Sequence, residues 1–493
     1  MVKQQYEALK MNQDLRKNLI ALKQELKADR ARQELLSILQ GDYSILTGLL
    51  ENSEAKVRKN AALVLGRLKQ PVCAEFLFRA YEKEEQLFVK SDYLSALAEL
   101  DYSVCRSRLE QRLKDLEQYR PREEEEKHIR EELAALRKLV GNGTSHIRHR
   151  FQGYDHTWEV ILSTGKKYQN VTAEQLKSGE ISILKSGVRL ITSHLKPVLS
   201  ISTYRELLFL LNIRKISENP REAARELADS NLIELLQRAH NSKGNFYFRL
   251  GLQSPKPLAQ RSAFVKKCAF ALEQETSGIL KNSASDYELE IRLLENREGQ
   301  FLPLVKLYTF EEQRFSYRKN TVAASIRPEQ AALIARLAKP YMHEKAQVLD
   351  PFCGVGTMLI ERNRVCPAGM MYGIDIFGEA VLKARENTRL AGQEIYFINR
   401  DFFEFSHNYL FDEIISNMPE RGKKPREEHD RFYRMFFDKA GELLKKKGKI
   451  FIYSNEKNFV KKQLRLHKDF TLLQEYGMDE KDNYYLFMIE KVD

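Results

Sequence analysis

The stretch 347–361, Q-V-L-D-P-F-C-G-V-G-T-M-L-I-E, constrains this chain more than any other. A short apolar strand pattern ends in Asp350, a small-residue turn carries Gly354 and Gly356, and Thr357 opens a helical pattern. A buried strand, a tight turn and a helix N-terminus are the parts of a nucleotide-cofactor site, because the unpaired N–H groups of a first helical turn attract an anion or a carboxylate. Leu359 stands where a dinucleotide turn needs its third small residue, so the close helix–strand packing of that class is not expected.

Downstream the same unit recurs. Segments 371–375, 395–398, 411–417 and 449–454 read as strands, with helical patterns at 380–390 and 431–444 between them. Such alternation predicts a doubly wound α/β sheet whose ligand lies at the strand C-termini. A helix over 321–338 leads into it, and 472–476 with 484–490 can close it as an antiparallel hairpin. An acid follows each of the first three strands: Asp350, Asp375 and Asp401. One acid alone is as easily a helix cap. Three in succession suit a ligand with an ammonium, ribose hydroxyls and an adenine amino group. The cofactor expected is therefore S-adenosylmethionine, its carboxylate at the helix N-terminus, with Asp350, Phe352, Gly354, Gly356, Thr357, Asp375, Asp401 and Asn417 around it.

The fourth strand runs into Ser416-Asn417-Met418-Pro419-Glu420. This resembles the N-P-P-Y/F signature of amino-methyltransferases, and more closely the D-M-P-F and N-L-P-Y variants of THUMP-linked RNA methyltransferases. An exocyclic amine is a poor nucleophile because its lone pair is delocalised into the ring. The Asn417 side-chain oxygen and the Met418 carbonyl can accept its two protons, and Pro419 fixes the turn that aims them, so Asn417, Met418 and Pro419 are the candidate catalytic residues. Glu420 departs from the signature, replacing the aromatic that stacks on the base. Either Phe432 or Tyr433 substitutes for it, or the enzyme is slow, altered in substrate or inactive.

At 493 residues the chain exceeds a single core, so three or four domains are expected. Its formal charge of +12 favours a polyanionic partner. The five cysteines lack metal-ligand spacing and read as reduced thiols, and no stretch matches a signal peptide or a membrane span, so a cytoplasmic protein without a metal is expected.

Residues 1–145 are helical in pattern. Val57-Arg58 through Leu68 is echoed by Val89-Lys90 through Leu100, an offset of 32 residues, which resembles HEAT-like repeats and suggests a docking role, for example toward a protein partner. Segments 195–200 and 246–250 look like strands, and 221–228 and 233–239 like helices. Lys266-Lys267 on a helical stretch, a pair of strands after it, and the junction Arg314-Phe315-Ser316-Tyr317-Arg318-Lys319 resemble the THUMP RNA-binding domain and its link to a methyltransferase. That resemblance implies a ferredoxin-like domain at 146–240, a THUMP-like domain at 241–312 and the Rossmann-like methyltransferase at 313–493. It also implies RNA as partner, with Lys266, Lys267, Arg314, Arg318 and Lys319 as backbone contacts; Lys423 and Lys424 can add to them, although a plain surface loop has the same composition. The activity implied is N2-methylation of a guanosine in tRNA or ribosomal RNA. Two rivals stay open: a degenerate RNA-binding assembly factor, and a DNA adenine-N6 methyltransferase.

Overall fold

The computed structural model describes residues 1–141, 149–242, 245–311, 313–423, 425–479 and 483–492. The expected boundary at 145/146, and Lys424, lie outside them. Among the described residues the chain forms a helical body followed by two sheets.

In the helical body, helices Ala55–Arg67 and Leu87–Leu97 carry the 32-residue echo and lie side by side. They approach so closely that a Cβ on Gly66 would fall 2.6 Å from the Ala96 carbonyl oxygen. Helices Arg106–Gln118 and Glu126–Gly141 flank the break at Pro121. The body does not stand apart. Phe270, on helix Leu258–Glu275 of the middle region, is buried within its apolar core. Beside it Arg137 bridges Glu117 at 3.0 Å and Glu273 at 2.7 Å.

The middle region is built on one sheet of strands β1 (Trp158–Ser163), β2 (Glu180–Leu184), β3 (Gly187–Thr192), β4 (Leu207–Leu210), β5 (Phe246–Gln253), β6 (Leu280–Asn282), β7 (Leu289–Glu295) and β8 (Phe301–Leu307), in the order β2-β3-β1-β4-β8-β7-β5-β6. Its two halves join where β4 pairs antiparallel with β8, Phe209 opposite Val305. Phe246, Phe248 and Leu250 alternate inward along β5 and share a core with helices Pro220–Asp229, Leu232–His240 and Leu258–Glu275. On the other face Arg292 and Lys306 reach Glu206 at 2.6 and 2.7 Å. The strand expected at 195–200 is instead a helical turn, Leu195–Val198, since Pro197 has no N–H to give a ladder.

The last sheet contains β9 (Gln347–Asp350), β10 (Met370–Asp375), β11 (Tyr396–Asn399), β12 (Phe411–Asn417), β13 (Leu444–Ser454), β14 (Phe470–Asp479) and β15 (Tyr484–Lys491). Their order is β11-β10-β9-β12-β13-β15-β14; β9 to β13 are parallel, and the β14–β15 hairpin closes the sheet antiparallel. Neighbouring residues of one strand face two cores: Val348 packs with Ile334 and Leu359, Leu349 with Phe436 and Val460. A parallel sheet covered on both faces needs this doubly apolar pattern. The lead-in helix starts later than expected, at Pro328 rather than at 321, with Arg327 as N-cap. Proline is favoured at that first position because its missing N–H would be unpaired there anyway.

Candidate active site at the ends of the parallel strands

Strand order reverses between β9 and β12, so the connections after these two strands leave in opposite directions and open a crevice at their C-terminal ends. Asp350, Asp375 and Asp401 follow β9, β10 and β11, three adjacent strands, and Asn417 ends β12 on the other side of the switch. The sheet thus gathers residues spread over 67 positions of sequence.

The turn after β9 is held by its acids. Asp350 is 1% exposed, and its Oδ1 accepts from the Ser416 hydroxyl at 2.7 Å and from the Phe352 amide at 3.1 Å. Burial pushes its carboxyl up to about 7, against the opposing effect of these two donors. This corrects the expectation of an acid open to the ligand's ammonium: Asp350 sits behind the turn and ties β9 to β12. Asp375 accepts from the Gly354 amide at 2.8 Å through one oxygen and from the Phe377 amide at 2.9 Å through the other. It is partly exposed, and each oxygen keeps a second lone pair for a ribose hydroxyl. Asp401 caps the short turn Phe402–Glu404 through the Phe403 amide at 2.9 Å and is also partly exposed.

The residues present fit the expected cofactor. Gly354 has φ +53°, with nothing within 4 Å of where a Cβ would stand. Gly356, at φ +80°, is the N-cap of helix Thr357–Val365. Thr357 Oγ1 is buried without a hydrogen-bond partner among the described residues. An open backbone cradle, a helix N-terminus and an orphaned hydroxyl form a site for the carboxylate end of an amino acid. Two side chains that escaped the sequence reading extend it. Ile376 and Phe377 are 61% and 72% exposed immediately after Asp375, an apolar pair beside the ribose acid that suits a purine ring. The signal was present as two apolar residues beyond a strand end.

Phe352 packs against Phe402 and Phe432, with ring centroids 5.6 and 5.3 Å away. Of the two proposed replacements for the missing aromatic, Tyr433 is fully buried and bonds Ser454 at 2.6 Å, so it cannot meet a base. Phe432 is partly exposed, but stacks on His429. The Met418 side chain is buried and its amide bonds the Tyr453 carbonyl at 3.0 Å, while Pro419 and Glu420 are exposed. Asn417 is partly exposed, and its side chain has no hydrogen bond to a described residue.

The expected RNA contacts sit on different elements. Lys266 and Lys267 are exposed on helix Leu258–Glu275, Lys319 at the junction and Lys423 beyond the acceptor turn. Arg318 is half-buried and donates to the Ile326 carbonyl at 2.8 Å. Arg314 is a correction. It is 6% exposed, lies 3.8 Å over the Tyr204 ring, and donates to the carbonyls of Ile201 and Tyr204 at 3.2 and 2.9 Å. Its side chain ties the junction to the middle region.

Comparison with known proteins agrees with this geometry. Residues 316–478 match the family described as RMKL-like, methyltransferase domain. Among solved structures, TrmN from Thermus thermophilus is 21% identical over 68% of this chain and 100% of its own, with a TM-score of 0.52. SMU.472, solved in complex with SAH, is 15% identical over 68% of this chain and 98% of its own, TM-score 0.51. A protein from Listeria monocytogenes named as a predicted N6-adenine-specific DNA methylase is 12% identical over 68% and 96%, TM-score 0.50. At these identities the solved structures show a shared fold. The family match covers most of the last sheet and the solved structures share its fold, which makes S-adenosylmethionine the cofactor of a methyltransferase-type domain.

Proposed function

We propose that this chain methylates the exocyclic N2 of a guanosine in tRNA or ribosomal RNA. The observation that carries the proposal is Asn417. It ends the strand beside the cofactor turn, its side chain is unengaged among the described residues, and Pro419 shapes the turn after it. S-adenosylmethionine supplies an electrophilic methyl group. Asn417 Oδ1 and the Met418 carbonyl accept hydrogen bonds from the two N–H groups of the amine, turning its lone pair out of conjugation and toward the crevice, and the amine releases one of these protons to water as the N–C bond forms. Asp375 would hold the ribose, and Gly354, Gly356 and Thr357 would face the carboxylate. The target base leaves its stack to enter, which suits single-stranded or looped RNA.

The middle region serves this reaction in the proposal as a ferredoxin-like and THUMP-like RNA grip, with Lys266, Lys267 and Lys319 on phosphates. The charge of +12 supports a polyanionic substrate. A cytoplasmic location belongs to the same reading; among the described residues no helix is long and apolar enough to cross a membrane.

Tritiated methyl transfer to a pool of unmodified tRNA and ribosomal RNA transcripts tests the proposal. Asn417→Ala should lower transfer about 100- to 1,000-fold, the usual cost of losing a group that polarises the reacting centre, with cofactor affinity nearly unchanged by calorimetry. Equal transfer by that variant would sink the amine-orienting role. Binding of RNA and cofactor without transfer marks a degenerate factor instead, and transfer to DNA alone marks an adenine methyltransferase.

A further inference from the structure

The turn after β12 is gripped from outside. Asn417 lies opposite Tyr453 in the β12–β13 ladder, and the Met418 amide donates to the Tyr453 carbonyl at 3.0 Å. The Tyr453 ring stacks on Tyr484, centroids 4.7 Å apart and planes 17° from parallel. The Tyr484 hydroxyl in turn donates to Glu420 Oε1. The circuit closes: Met418 of the acceptor turn binds one tyrosine, and the turn's last residue binds the tyrosine stacked on it. Glu420 is exposed, and its Oε2 accepts no hydrogen bond from a described residue. A carboxylate fixed through one oxygen and available through the other therefore stands three residues past Asn417.

The chemistry of the bases says what such a group selects. Guanine, adenine and cytosine all carry an exocyclic amine. In guanine one ring neighbour of the amine, N1, bears a hydrogen. In adenine and cytosine the ring nitrogen at the corresponding place, N1 or N3, bears a lone pair. A carboxylate accepts from the first and repels the other two.

We infer that Glu420 reads the N1–H of a guanine through Oε2, and that Tyr484 is the residue that positions its carboxylate. The inference rests on the methyl-transfer reading above and names the base by its edge. Accepting N1–H also pushes electron density into the ring and toward the amine, so the contact assists transfer as well as selecting the base. An aromatic at 420 would grip any base by its face, whereas the carboxylate distinguishes among them.

2-Aminopurine keeps the 2-amine, lacks O6 and puts a lone pair at N1, so the change in its ratio to guanine from one variant to the next reports this contact. An accepting transcript, identified in the unmodified pool, is remade with 2-aminopurine at the target position. The wild-type protein should prefer guanine. Glu420→Gln, whose amide can donate to the N1 lone pair, should cut kcat/KM for guanine about 10- to 100-fold, the range of a charge-assisted hydrogen bond, and raise that for 2-aminopurine. Tyr484→Phe keeps the stacked ring and removes the hydroxyl; it should narrow the preference in the same direction by a smaller factor. An unchanged guanine to 2-aminopurine ratio in Glu420→Gln overturns the inference while leaving methyl transfer intact. An unchanged ratio in Tyr484→Phe, with the Gln effect present, overturns the positioning role. No transfer by the wild-type protein to any transcript in the pool overturns both the reaction and this reading of its edge.

Discussion

On the open face of the middle sheet, Arg249, Glu290, Arg292, Lys306 and Glu206 run from strand to strand as a ladder of opposite charges, with Arg292 bridging Glu206 at 2.6 Å and Glu290 at 3.2 Å. The last sheet has no such face and carries its charge inside. Arg362 and Glu413, both fully buried, meet at 2.8 Å, and Arg362 also donates to the carbonyls of His343 and Cys366. Asp350 is sealed a strand away. The difference follows from architecture. A sheet with helices on one side can spread polar groups over its other side, where water shares the work. A parallel sheet with helices on both sides can place polar groups only at strand ends or in fully bonded interior sets, where the local dielectric is low and a missing partner is costly.

Breaking the interior pair should have the largest effect. Arg362→Met leaves Glu413 buried without its counter-charge, and a loss of about 3–5 kcal/mol is expected; urea unfolding measures it. Adding Glu413→Leu should recover most of the loss, since the cost lies in the orphaned charge. A loss below about 1 kcal/mol would remove the contrast between the two sheets.

Asp350 sharpens the comparison through pH. Its carboxyl is raised to about 7 in the folded protein, so the folded state keeps a proton that the unfolded chain releases near 4. Folded protein binds more protons across that window, so the Asp350 contribution falls as pH rises from about 4 to 7. Asp350→Asn should abolish this decline, making the variant gain on the wild type by a few kcal/mol between pH 5 and pH 8 in paired urea titrations. A parallel pair of pH profiles would mean that the carboxyl is ionised in place.

The smallest effect is expected on the open face. Arg292, followed by Lys306, holds the Glu206 carboxyl down at about 2. That contribution is present above about pH 4.5 and is lost as pH falls toward 2. Arg292→Met should cost about 1 kcal/mol at neutral pH, because Lys306 still pairs with Glu206 and Arg249 with Glu290, and should flatten the acid limb of the stability curve.

The placement of acids and an amide at the strand ends was legible because its logic is local. Each strand of the last sheet is followed within a few residues by the group it presents, so Asp350, Asp375, Asp401 and Asn417 could be picked out before the strands were paired. Contacts between distant segments were not legible. Arg314 reads as one more cation in a basic junction, and only Tyr204, 110 residues earlier, gives it a ring to lie on and carbonyls to bond. Glu420 reads in the sequence as a departure from the signature, and its partner Tyr484 is 64 residues away. Asp350 was placed on the right strand and turned toward the wrong neighbour, since periodicity marks a strand's end but not the depth at which its last side chain lies. The 32-residue echo marks two helices that pack together, whereas Ile376 and Phe377 carry no signal beyond being two apolar residues after a strand end.

Helix Leu258–Glu275 has two buried allegiances: Ala269 and Leu272 belong to the core of the middle sheet, while Phe270 belongs to that of the helical body. A domain merely appended to another leaves its host's surface as it was. Here the host helix presents a phenylalanine and Glu273, each of which is satisfied by the appendage. A fragment lacking the helical body would display a bare ring and a carboxylate without its arginine, so truncation there makes a sticky protein rather than a minimal enzyme. The two parts have been fitted to each other, and the fragment that keeps them together is the natural unit for crystallisation or engineering.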